Sequence, residues 1–211
     1  MSLHEPATFL TDVLLGALAA WLAGRLHRRT ADENRAARWL SHALALTAAS
    51  ALIGGSYHGF APNFSAPMAA AWWRLTLLTI NAMSAAMALS WMHEVISASR
   101  HRLMMIAIAV KFLVFAFAVV ARPQFVVAIA DYGSILLLWL IATFILRRSW
   151  RGWMQAALAL SALAAGVQQA RWSPATSFNH NDLYHVIQAF ALAAFYRAGT
   201  RFGPHGSPWP T

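Results

Sequence analysis

Residues 101 to 121 read HRLMMIAIAVKFLVFAFAVVA. Past the basic pair His101 and Arg102, this stretch holds a single charge, Lys111. A helix of about 20 residues rises 1.5 Å per residue and crosses a hydrocarbon core of about 30 Å. The stretch therefore reads as a membrane-spanning helix. Six similar runs flank it. Together the seven fall at about 7–26, 37–57, 68–92, 101–121, 124–147, 152–171 and 179–199. Pro62, Pro67, Pro123 and Pro174 lie in the connections. The expected fold is all-α, a seven-transmembrane-helix bundle forming one domain over residues 1–211. No linker separates domains and no internal repeat stands out.

Composition agrees. The chain is 59% apolar and only 11% charged. A soluble domain of this length cannot hide that much apolar surface. There is no cysteine, which excludes disulfides, thiolate metal sites and a cysteine nucleophile. The net charge is +9, but the arginines sit in short clusters between apolar runs. That is the pattern of a topology signal, not of a nucleic-acid surface, and no nucleic-acid partner is expected. The first ten residues carry Glu5 and neither Lys nor Arg, so the basic start of a signal peptide is missing.

Orientation follows from the arginines. Arg25, Arg28, Arg29, Arg35, Arg38, Arg100, Arg102, Arg147, Arg148, Arg151, Arg197 and Arg201 fall on one side. The other side has Arg122 and Arg171, with Arg74 just inside the third helix. Basic residues stay cytoplasmic, so the N-terminus is expected outside and the C-terminus inside.

On that topology the unusual polar residues share one depth. His58 ends the second helix, and Arg74, Thr76 and Thr79 begin the third. Asp131 lies two turns into the fifth, as the only acid read as deep in a span. Gln168 and Gln169 end the sixth, and His180, Asn181 and His185 begin the seventh. Polar groups at one depth of a membrane bundle point to a shared cavity. Asn181 and His185 are four apart and share a helix face that Gln188 extends, an arrangement able to grip a metal. Asn181 is equally placed to cap the seventh helix, with Asp182 in its first turn. His180 lies either at the site or in the loop before it. Asp131 is a metal ligand, a general acid or base, or the counter-charge for Arg74; spacing does not separate these roles.

The layout of Gly54-Gly55-Ser56-Tyr57-His58 and Asn181-Asp182-Leu183-Tyr184-His185 resembles the CREST superfamily of seven-helix membrane proteins, which includes alkaline ceramidases and progestin and adipoQ receptors. There, a histidine ending helix 2 joins two histidines four apart on helix 7 to hold zinc, and a zinc-bound water attacks a lipid amide. The resemblance implies His58 and His185 as ligands, with Asn181 where the other histidine belongs and His180 as a substitute. The family's serine falls near Gly54, which makes Ser56 the catalytic candidate beside Asp131. The acid at the start of helix 3 is absent. The stretch 181–195 also resembles uncharacterised bacterial membrane proteins distantly related to ceramidases, which implies a bacterial inner membrane.

Two functions are thus expected to compete. One is a zinc-dependent hydrolase of a lipid amide or ester. The other is a lipid-binding or sensing protein without chemistry, which the neutral Asn181 favours, since zinc prefers imidazole, thiolate and carboxylate. Helix 7 has no lysine for a retinal Schiff base. The paired broken helices of many carriers are not seen.

Overall fold

The computed structural model describes residues 2–175 and 177–203; the C-terminus, Thr211, lies outside them. Among the described residues there are seven α-helices and no strand. They are α1 (Pro6–Arg29), α2 (Arg35–Phe60), α3 (Ala66–Val95), α4 (His101–Ala121), α5 (Phe125–Ile145), α6 (Arg151–Gln169) and α7 (His180–Gly199). Short 3-10 turns occupy Ala61–Asn63 and Ala98–Arg100.

Local chemistry sets the ends. Proline stands in the first turn of α1 and of α3, where its missing N–H costs nothing. Asn34 caps α2 by accepting from the Ala37 N–H at 3.1 Å. The cap of α7 is Asn179, not Asn181. Its side chain accepts from the N–H groups of Asn181 and Asp182, and the Asp182 carboxylate accepts the Asn179 N–H in return. The first helix runs on through Arg25, Arg28 and Arg29, which sequence reading left in a loop. Lysine and arginine suit the negative end of a helix, so the basic cluster does not stop it.

Short connections make successive helices antiparallel. Six of them form a ring in the order α1, α2, α3, α5, α6, α7, which closes where α7 packs on α1. The fourth helix lies outside, against α3 and α5. Only Val119 of α4 is buried, while Leu103, Ile106, Leu113 and Phe117 are exposed, the last at 76%.

Among the described residues four helices are long and apolar enough to cross a membrane: α1, α3, α4 with its preceding turn, and α5.

The two ends of the ring differ. At one end Leu26, Leu40, Trp139, Trp150 and Met154 are almost fully buried. Trp139 stacks on Phe202 at 5.4 Å and meets Trp150 edge-on at 5.5 Å. The Trp150 indole donates to Glu94 at 2.7 Å, which satisfies a polar group that burial would otherwise penalise. The arginine clusters lie at this sealed end. The opposite end carries His58, Phe125 and the start of α7, and it leads into a cavity.

Candidate functional site

The cavity lies on the ring axis and measures about 360 Å³. That is at the small end of the range for ligand pockets. Every helix of the ring lines it and α4 does not. His58, Gln168, Arg171, His180 and Asn181 stand at its mouth. Leu44, Met87, Leu136, Leu192 and Phe195 line the far end. Counting 1.5 Å per residue along α2 and α7, the cavity runs roughly 20 Å into the bundle. It is polar at the mouth and apolar below.

The seam between α1 and α7 carries most of its chemistry. On α2, a Cβ at Gly55 would stand 2.7 Å from the Asp12 Cβ, so the absence of a side chain lets α1 settle against α2. Asn179 fixes the start of α7 by donating to the Thr8 hydroxyl at 3.2 Å. His185 then lies between two residues of α1. Its Nε2 is 3.1 Å from Asp12 Oδ1 and its Nδ1 is 2.9 Å from Thr11 Oγ1. Asp12 is 4% exposed and His185 8%.

The Thr11 hydroxyl has one proton and two acceptors in reach, His185 Nδ1 and the Thr8 carbonyl at 3.0 Å. Donation to Nδ1 leaves the His185 Nε2–H to donate to an ionised Asp12. Donation to the carbonyl requires hydrogen on Nδ1 and a further proton between Nε2 and Asp12. The two arrangements differ by one proton, and a hydroxyl rotation connects them.

Four cavity-lining residues hold buried polar atoms without a hydrogen-bond partner among the described residues: Asp12 Oδ2, Tyr132 Oη, Ser161 Oγ and Gln188 Oε1. Asp12 stands six residues inside the mouth end of α1, Tyr132 seven inside that of α5, and Ser161 and Gln188 eight inside those of α6 and α7. By helical rise all four lie at about 10 Å depth. Unpaired buried polar atoms are costly and rare, so a cluster of them in one cavity points to a ligand or water that completes it.

The residues proposed from sequence are distributed as follows. His58 and His185 line this one cavity, with His180 and Asn181 at its mouth. The His58 Nδ1 is 3.2 Å from Glu5 Oε2. Asp131 does not line the cavity. Its carboxylate is held by Lys111, by Asn81 Nδ2 at 2.8 Å and by Ser84 Oγ at 3.1 Å, so its counter-charge is Lys111 of α4 and not Arg74. Ser56 also stays outside. It donates to the Ile53 carbonyl and accepts from Trp72 Nε1, each at 2.7 Å, tying α2 to α3. Sequence reading missed Asp12 and Thr11. Asp12 had a signal, as the one acid inside the first apolar run; Thr11 had none.

Zinc needs a tetrahedral set of nitrogen, sulfur or carboxylate donors. Among the described residues no three His, Asp or Glu side chains assemble as such a set. Both ring nitrogens of His185 are engaged, and Asn181 brings a neutral amide. The residues as placed do not fit the ion.

No curated protein and no solved structure matches the chain. Residues 7–204 match the profile of the family of unknown function DUF6962, and the chain belongs to that family.

Proposed function

We propose that the chain is an integral membrane protein whose axial cavity binds an amphiphilic ligand without chemistry. All seven helices span the bilayer in this reading, with the N-terminus outside and the C-terminus cytoplasmic. The outward face of α4 supports it, because exposed Leu, Ile and Phe side chains cost about 25 cal/mol per Å² in water and nothing in lipid. Membership of one ring supports placing α2, α6 and α7 beside the four more apolar helices. The twelve arginines at the sealed end support the orientation.

The observation that carries the binding reading is the cluster of unpartnered atoms at Asp12, Tyr132, Ser161 and Gln188 above an apolar floor. A ligand with hydrogen-bond donors at its polar end and an apolar remainder complements both. Native mass spectrometry of protein released from its membrane tests this. The chain should carry a small-molecule adduct, and Ile80→Trp, which fills the cavity, should lose it while keeping its helical circular dichroism. A bare chain that also takes up nothing from a lipid extract of its host membrane sinks the reading.

The second reading is the zinc-dependent hydrolase of a lipid amide or ester. One observation favours it: His58 and His185 line the same cavity. Elemental analysis separates the two. About one zinc per chain, absent from His58→Ala and His185→Ala, together with zinc-dependent release of fatty acid from a lipid amide or ester, favours the hydrolase reading, and metal-free protein retires it.

A further inference from the structure

The ring divides, in chain order, into two sets of three helices. With α4 outside it, the order α1, α2, α3, α5, α6, α7 divides into α1–α3 and α5–α7. Successive helices alternate in direction, so α1 and α5 run the same way, as do α2 and α6, and α3 and α7. The two three-helix units therefore stand in one orientation, joined by parallel seams at α3/α5 and α1/α7. In a ring of six, α2 and α6 face each other across the axis.

The sequence carries a trace of the same relation. Residues 39–47 of α2 read WLSHALALT and residues 153–161 of α6 read WMQAALALS. Tryptophan opens both, Ala-Leu-Ala-Leu recurs in register, and Thr47 answers Ser161. Burial follows the same register. Leu40 and Met154, Ala43 and Ala157, and Leu44 and Leu158 are buried, while Ala45 and Ala159 are exposed. Thr47 and Ser161 both line the cavity, and Leu40 and Met154 both belong to the seal beneath it. The acids repeat as well: Asp12 and Asp131 each stand six residues beyond the first residue of α1 and α5, and both are buried beside a base.

We infer that the cavity is one half of a passage, and that the protein carries its ligand across the membrane by rocking α1–α3 against α5–α7. Parallel repeats about an axis along the membrane normal are one of the two builds of membrane carriers, with the binding site between the repeats near mid-membrane. This build needs no broken helices. The cavity here lies between the repeats, and the seal at the arginine end is made jointly, by Leu26 and Leu40 from one unit and Trp139, Trp150 and Met154 from the other. A relative tilt of the units about the axis parts that seal and closes the mouth. The ligand class is set by what faces it at mid-depth, where Asp12 Oδ2 and Gln188 Oε1 call for N–H or O–H donors and the Tyr132 and Ser161 hydroxyls can donate or accept. The inference rests on the binding reading above.

The chain has no cysteine, so single thiols report access without a background. Thr47→Cys and Ser161→Cys change a hydroxyl for a thiol within the cavity; Ser50→Cys, also in its wall, replaces either if it does not fold. Each variant is exposed to a charged, membrane-impermeant methanethiosulfonate in right-side-out and in inside-out vesicles. The dose is one that leaves Leu113→Cys, on the outer face of α4, unmodified. The expected result is modification of both cavity positions from both sides, with Leu40→Cys modified from the arginine side. Modification from the mouth side alone overturns the passage and leaves the binding reading standing, with its adduct. Modification from neither side overturns the passage, and where the protein also carries no adduct it overturns the binding reading as well.

Discussion

Asp12 and His185 meet 3.1 Å apart across the seam where the last helix packs on the first. Neither is near the other in sequence, and each is buried. The pair closes the ring with its only direct acid–base contact between α1 and α7 among the described residues. Its cost of desolvation is offset only while both partners stay.

Removing one partner should therefore be expensive. His185→Ala leaves Asp12 Oδ1 without its partner, while the Thr11 hydroxyl keeps the Thr8 carbonyl, and breaking a buried pair costs about 3–5 kcal/mol. His185→Gln, which restores a hydrogen-bonding group, should recover part of that. Thermal unfolding in detergent should rank wild type above Gln above Ala. An alanine variant as stable as wild type would remove the pair from any account of the fold.

The Asp131–Lys111 pair makes a contrasting case. Asp131 is 1% exposed and Lys111 is the one charged group by which α4 holds α3 and α5. Lys111→Met alone should cost about 3–5 kcal/mol, because it leaves the carboxylate buried with only Asn81 and Ser84. Lys111→Met with Asp131→Leu should be much less damaging than the two single changes added together. Additive effects in that double-mutant cycle would contradict a coupled pair.

Gly55→Ala tests the spacing of α1 and α2. The new methyl would sit 2.7 Å from the Asp12 Cβ, which is fixed to backbone and has no rotamer to escape into. The helices must separate, at a cost of about 1–3 kcal/mol for an overpacked core. By contrast, a methyl at Gly133 or Gly152 meets nothing within 4 Å, so alanine there should be tolerated. Equal effects at positions 55 and 133 would count against the close approach.

Orientation has its own check. A reporter fused after Thr211 should behave as cytoplasmic, as the arginine asymmetry requires. Periplasmic activity of that fusion would invert the bundle and put the cavity mouth inside the cell.

The helices were legible because seven largely apolar runs of about 20 residues, punctuated by proline and arginine, leave few alternatives, and four of the helices they form are also long and apolar enough to cross a membrane. The cavity was half legible. His58, His180, Asn181 and His185 stood out as polar groups where lipid would punish them, and all four line it. Asp131 stood out for the same reason yet belongs to a different contact, because spacing along one chain does not tell which neighbour a buried charge finds; Lys111 reaches it from the neighbouring α4. Thr11 was invisible, since a hydroxyl in an apolar helix usually bonds its own backbone, as Thr11 also does. The repeat escaped notice because Ala and Leu are common everywhere in this chain. Only the ring order shows that residues 39–47 and 153–161 occupy equivalent places.

The odd helix out has a consequence of parity. A unit of three helices ends on the side opposite to where it began, so a second copy translated directly after it would enter the membrane upside down. With all seven helices spanning the membrane, as proposed above, one more crossing through α4 would restore the starting side. The cost of that correction would be a helix with no place in the wall, which accords with an α4 that is nearly all apolar and touches the bundle along one edge. Two separate copies of a three-helix ancestor, inserted in the same sense, could enclose such a cavity with no fourth helix at all.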